Sequence, residues 1–129
     1  MSRRRAILAA AAVLAVLSAG GCRPAASSVT LPYDRQVVWP VAMGQCLTWR
    51  PTIDERAMFI ESRKVDLGDR EIVSKLWVEP DYNWFVRRPS TRVVVSMRQV
   101  TPTAVRYTQA EQEFLGRLVD EIQARFGGP

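Results

Sequence analysis

The sequence has no histidine and only two cysteines in 129 residues. Without imidazole there is no Ser-His-Asp or Cys-His nucleophile, no imidazole metal ligand and no histidine pH switch. Cys22 and Cys46 alone cannot form a metal-spaced thiolate set, and there is no glycine-rich phosphate loop and no nucleophile elbow. Long hydrophobic runs are missing too. The apolar stretch Ala6 to Leu17 rises about 18 Å as a helix, short of the roughly 30 Å hydrocarbon core of a bilayer. These absences exclude most enzyme classes and imply no cofactor, no metal and no small-molecule substrate.

What is present begins with Arg3-Arg4-Arg5, followed by that short apolar run and then small residues. Basic start, apolar middle and small end are the grammar of an export signal. The segment Leu17-Ser18-Ala19-Gly20-Gly21-Cys22 resembles the lipobox of bacterial lipoproteins. The resemblance implies a signal peptide over 1–21, a lipidated Cys22 as mature N-terminus, and a cell-envelope protein facing the periplasm. Arg23, where an Asp would retain the chain at the inner membrane, implies the outer membrane. The alternatives are a short uncleaved anchor, or ordinary signal-peptidase cleavage near Ser18, Gly20 or Ala26.

Export also changes the charge. The net charge of +5 includes three leader arginines, and the chain from Cys22 onward keeps 15 basic against 13 acidic residues, a mild +2. A nucleic-acid binder needs a concentrated basic stripe and access to nucleic acid, so that class is excluded. Residues 22–28, small and polar, read as a lipidated tether, and folding is expected from Val29 to about residue 127 as one unit.

Asp34 predicts the cap of a helix over 35–46, with Val38, Val41, Ala42 and Gln45 or Cys46 on one face and a kink at Pro40. The alternative is a strand over 35–39 and a helix from Pro40. Residues 48–53 are β-prone, and Met58 to Ser62 predicts a strand with Met58 and Ile60 on one side. Residues 69–78 fit a strand or a helix capped by Asp69. Residues 90–100 give the clearest strand, with Val93, Val95 and Met97 alternating against Arg92, Val94, Ser96 and Arg98. Thr101-Pro102 predicts a turn, and 103–107 its hairpin partner with Val105 and Tyr107 inward. Thr108-Gln109-Ala110-Glu111 matches a capping box. The helix that follows carries Phe114, Leu115, Leu118, Val119, Ile122 and Phe126 on one stripe.

This order predicts an α+β two-layer sandwich: an antiparallel sheet of three to four strands, with an N-terminal helix and a long C-terminal helix on one face. Tyr33-Asp34 leading into Val38-Trp39, and the strand from Arg92 to Met97, make the arrangement similar to small BamC-like domains of envelope lipoproteins.

Three groups of residues are candidates for function. Cys46 reads either as a reactive or intermolecularly paired thiol or as a small buried hydrophobe. The carboxylates Asp54-Glu55, Asp66/Asp69/Glu71 and Asp120-Glu121 lack the spacing of a calcium loop and read as solvated turns and helix surface. The stretch 77–89 is the most unusual, with Trp77 ahead of Pro80 and then Tyr82, Trp84, Phe85, Arg87 and Arg88 between Pro80 and Pro89. Trp, Tyr and Arg are the residues that anchor interfaces. This stretch therefore predicts a connector that docks an envelope protein, a polymer or the membrane interface. The alternative is that Trp77 and one of Trp84 or Phe85 complete the core, with both arginines in solvent. The expected role is a non-catalytic binding or structural one at the membrane, held through the N-terminal lipid. The competing roles are an accessory subunit of an outer-membrane assembly or transport machine, and a small exported enzyme using a carboxylate or Cys46.

Overall fold

A computed structural model describes residues 26–66 and 68–127. The leader, the lipobox and Cys22 lie outside the described residues. The chain order is β1 (Ser27–Leu31), α1 (Arg35–Gln45), a 3-10 turn (Leu47–Trp49), β2 (Thr52–Asp54), β3 (Phe59–Asp66), β4 (Arg70–Asn83), β5 (Arg88–Thr101), β6 (Val105–Arg106) and α2 (Thr108–Phe126). The fold is α+β, and the sheet has six strands rather than three or four, all paired antiparallel. The strand order is β1-β5-β4-β3-β2, with β6 also paired to β5.

Register separates the two faces of the sheet. Ile60 faces Leu76, Leu76 faces Val95, and Val78, Val93 and Val29 form the next row. These side chains are buried, in one cluster with Val38, Trp39, Val41 and Ala42 of α1 and with Phe114, Leu115, Leu118, Val119 and Ile122 of α2. The period-2 stripes of the strands and the period-3.6 stripes of the helices thus meet in one core. The opposite rows, Phe59, Trp77 and Val94 and then Glu61, Lys75 and Ser96, carry no helix among the described residues.

Asp34 caps α1 by accepting from the Gln36 amide at 3.0 Å. The helix runs unbroken through Pro40. Pro40 and Gln36 are both exposed, so the carbonyl that Pro40 leaves without a donor is on the solvent side. Residues 70–78 belong to β4, with Asp69 in the turn before it, because β3 pairs with the strand from Arg70 to Trp77 and β5 from Glu71 onward.

Several sequence expectations are corrected. Ser27 and Ser28, assigned to the tether, belong to β1 and pair with Val95 and Val94. Met58 is not in a strand; it closes the turn before β3 with φ 52°, and its carbonyl accepts from the Val78 amide at 3.1 Å. The stretch 77–89 is no connector but the far half of a long β-hairpin. Val105 is 42 % exposed, and its neighbour Arg106 turns inward instead. Glu111 does not close a capping box: α2 has no side-chain cap, and Glu111 is fully buried. Phe126, expected on the core stripe, is 47 % exposed and meets Tyr33 with ring centroids 6.1 Å apart.

At the outer side of the sheet, β2 covers only Phe59 to Glu61 of β3. From Ser62 to Asp66 that edge has no strand partner among the described residues; the Ser62 hydroxyl donates to the Trp49 carbonyl of the 3-10 turn instead.

Candidate functional site

β4 and β5 are each 14 residues long, but β3 stops opposite Trp77 and β1 stops opposite Thr91. Beyond those points the two strands continue as a two-stranded ribbon that leaves the body of the sheet. Pro80 and Pro89 sit in this ribbon, each in a strand with one unpaired edge, where a missing N–H removes no ladder bond from a third strand. The ribbon closes through Trp84 to Arg87, with Arg87 in the left-handed region at φ 52°.

The side chains of that turn point away from the protein. Trp84 is 80 % exposed, Phe85 100 %, Val86 60 % and Tyr82 39 %. Tyr82 and Trp84 meet edge to face with centroids 4.5 Å apart, a geometry that holds both rings at the tip. Two of the turn amides are bonded from within: the Asn83 Oδ1 accepts from the amides of Phe85 at 3.0 Å and Val86 at 3.4 Å. The Asp81 Oδ1 accepts from the Tyr82 amide at 2.8 Å. Arg88 lies across the ribbon from Asn83, and Pro89 across from Tyr82.

Five of the six residues singled out in the sequence, Tyr82, Trp84, Phe85, Arg87 and Arg88, therefore converge on one hairpin tip. The sixth does not. Trp77 lies on the open sheet face, where it stacks on Phe59 with centroids 6.3 Å apart and donates from Nε1 to Glu79 at 2.9 Å. Neither Trp84 nor Phe85 enters the core, so the reading that one of them completes it is overturned. Asn83, whose side chain orders the turn, was not singled out; its place just before the aromatic pair was the available signal.

Cys46 is fully buried and unpaired. Burial pushes its thiol up from 9.0 to about 12, because the anion has lost its solvation. The carboxylate groups are scattered. Asp54 accepts from the Ala57 amide in the turn before β3, Glu71 pairs with Arg63 at 3.2 Å, and Glu121 pairs with Arg125 at 2.8 Å. Among the described residues no group of three or more His, Cys, Asp or Glu is placed to hold a metal ion.

One carboxylate has a different setting. Glu111 is buried at the start of α2, and its Oε1 accepts from Arg106 Nη2 at 2.7 Å, Arg106 Nε at 3.0 Å and Ser27 Oγ at 2.7 Å. Its Oε2 accepts from the Met97 amide at 2.8 Å. Arg106 Nη2 also reaches Ser27 Oγ at 3.1 Å. This cluster ties the first residue of β1 to β5, β6 and α2, with the carboxylate ringed by donors and closed to solvent. It is a clasp rather than a reaction centre.

No family model matches the chain, and no curated protein matches it.

Proposed function

We propose that the chain is a bacterial lipoprotein, held at a membrane through lipid on Cys22 and facing the periplasm, at the outer rather than the inner membrane. Its α+β unit serves a binding or structural role in the envelope without catalysis, and the β4–β5 hairpin tip is the surface through which it binds.

The observation that carries this reading is the tip itself. Trp84, Phe85 and Val86 in one turn, with Tyr82 beside them and Arg87 and Arg88 following, are exposed with nothing of the described chain over them. A contiguous apolar patch of this kind marks a contact surface. The position of the clasp adds support. Ser27 is locked to Glu111 only five residues after Cys22, so a lipid at Cys22 would hold the folded unit close to the bilayer. The Cys46 thiol, buried and shifted upward, has lost nucleophilicity rather than gained it.

The test is mass spectrometry of the mature N-terminus together with membrane fractionation, using Cys22→Ala as control. The expected result is a diacylglyceryl-modified Cys22 and a chain that leaves the membrane fraction in the variant. An unmodified N-terminus at another cleavage position overturns the anchor.

A further inference from the structure

We propose that the β4–β5 hairpin tip inserts into a phospholipid bilayer: Trp84, Phe85 and Val86 enter the interfacial zone, and Arg87 and Arg88 meet the lipid phosphates. The bilayer is the one that would hold the lipid of Cys22. Only this last statement rests on the anchored reading; insertion itself does not need it.

Four observations converge on a lipid surface. The first is size. The exposed parts of Tyr82, Trp84, Phe85 and Val86 amount to about 500 Å² at the usual area of such side chains. A stable protein interface needs about 800 Å² from each partner, and the tip falls short of that even with the cleft that Pro32, Asn83, Val86, Arg88 and Pro89 line beside it. A bilayer interface sets no such minimum.

The second is the backbone. A peptide group entering a medium poor in water must have its hydrogen bonds made internally. At this tip the amides of Phe85 and Val86 are both taken by Asn83 Oδ1, and the Tyr82 amide by Asp81. Such side-chain bonds occur in solvent turns as well; here they remove the Phe85 and Val86 donors from the cost of leaving water.

The third is charge placement. Arg87 and Arg88 follow the apolar turn directly, and neither is in an ion pair among the described residues. Cationic side chains just behind an apolar tip lie at headgroup depth, where anionic phosphates attract them. Guanidinium groups are suited to phosphate oxygens. Trp and Tyr beside them are the residues that settle at this depth.

The fourth is reach. Ser27 pairs with Val95, seven residues along β5 from Arg88, about 23 Å at the rise of a strand, and the turn adds about 5 Å. Cys22 is five residues before Ser27, at most about 17 Å of extended chain. Anchor and tip therefore share one leaflet when the hairpin lies within about 40° of the membrane plane. The unit then reclines on the bilayer and touches it at two points.

The experiment uses the full chain in vesicles of phosphatidylethanolamine and phosphatidylglycerol whose acyl chains carry bromine, a contact quencher of tryptophan. The chain has four tryptophans, and subtracting the spectrum of Trp84→Phe isolates Trp84. The expected result is a blue-shifted Trp84 emission quenched about twofold or more relative to unbrominated vesicles, as for a ring at the acyl boundary. Phe85→Asp combined with Val86→Asp should abolish the quenching and leave far-UV circular dichroism unchanged, since both positions are exposed. Unquenched Trp84 on chains that sediment with the vesicles overturns the proposal. So does a photocrosslinker at position 85 that captures a protein instead of lipid in native membranes. The intact mass decides the anchor separately: quenched Trp84 on a chain without lipid at Cys22 supports insertion and overturns the shared leaflet.

Discussion

Glu111→Ala is the substitution that most sharply separates the structure from the sequence pattern around it. A capping-box glutamate contributes about 1 kcal/mol. The buried clasp predicts much more. Removing the carboxylate leaves the Met97 amide without an acceptor and the Arg106 guanidinium, 23 % exposed, without its counter-charge. Breaking a buried pair from one side costs about 3–5 kcal/mol, and the partial exposure of Arg106 argues for the lower half of that range. The expected loss is about 3.5 kcal/mol, against a total stability of about 5–15 kcal/mol for a unit of this size. The midpoint of thermal unfolding should fall by roughly 15–30 °C. Arg106→Ala should cost a similar amount by stranding the carboxylate. The double variant should fall short of the sum by about 3 kcal/mol, because both changes break the same contact. Thr108→Ala, whose hydroxyl makes no cap bond, should stay within about 0.5 kcal/mol of the parent. Urea unfolding followed by far-UV circular dichroism measures all four. A Glu111→Ala cost below about 1 kcal/mol, or additive single variants, would refute the buried clasp.

Two further outcomes follow from the core and the backbone. Cys46, raised to about 12, should react with iodoacetamide about a thousandfold more slowly in the folded chain than in the unfolded one at pH 8. The same shift makes the folded state hold its thiol proton where the unfolded state has lost it. Stability from this group is therefore complete below pH 9 and declines from about 9 to about 12, by up to about 1.4 kcal/mol per pH unit; Cys46→Ala should remove that alkaline slope in urea titrations. Arg50 ends the 3-10 turn at φ 51°, ψ 58°, so Arg50→Gly should relieve left-handed strain. The expected gain is about 0.5 kcal/mol, a small rise in urea midpoint.

The elements legible in the sequence are those whose own residues carry the signal. The apolar stripe from Phe114 to Ile122 and the alternation from Val93 to Met97 need no distant partner to be recognised. Asp34 announces its helix in the same local way. Residues 69–78 satisfy both periods, and only the neighbours β3 and β5 decide for a strand. β1 was missed at Ser27 because its burial is polar: a hydroxyl held by a carboxylate 84 residues away leaves no hydrophobic trace. Val105 and Arg106 were reversed for the same reason, since the apolar residue was assigned inward while the buried charge of Glu111 draws in the arginine. At the candidate site, composition identified the aromatic and arginine cluster. Pro80 and Pro89 disguised its architecture, because prolines suggest a connector until the ribbon is seen to have free edges on both sides.

The shortness of β2 has a consequence if the chain is held on a membrane as proposed. Where β2 ends, the rim of β3 from Ser62 to Asp66 offers backbone donors and acceptors that a neighbouring copy could extend into a continuous sheet. Two features stand against that. Ser62 is already engaged by the 3-10 turn, and docking a second rim would take water from exposed Lys64 and from the ion pairs of Arg63 with Glu61 and Glu71, a cost of the kind that guards sheet edges. Tethering to a membrane multiplies encounters between copies by confining them to a plane. On the proposed anchored reading, the charged side chains of this rim would oppose lateral extension of the sheet from one copy to the next.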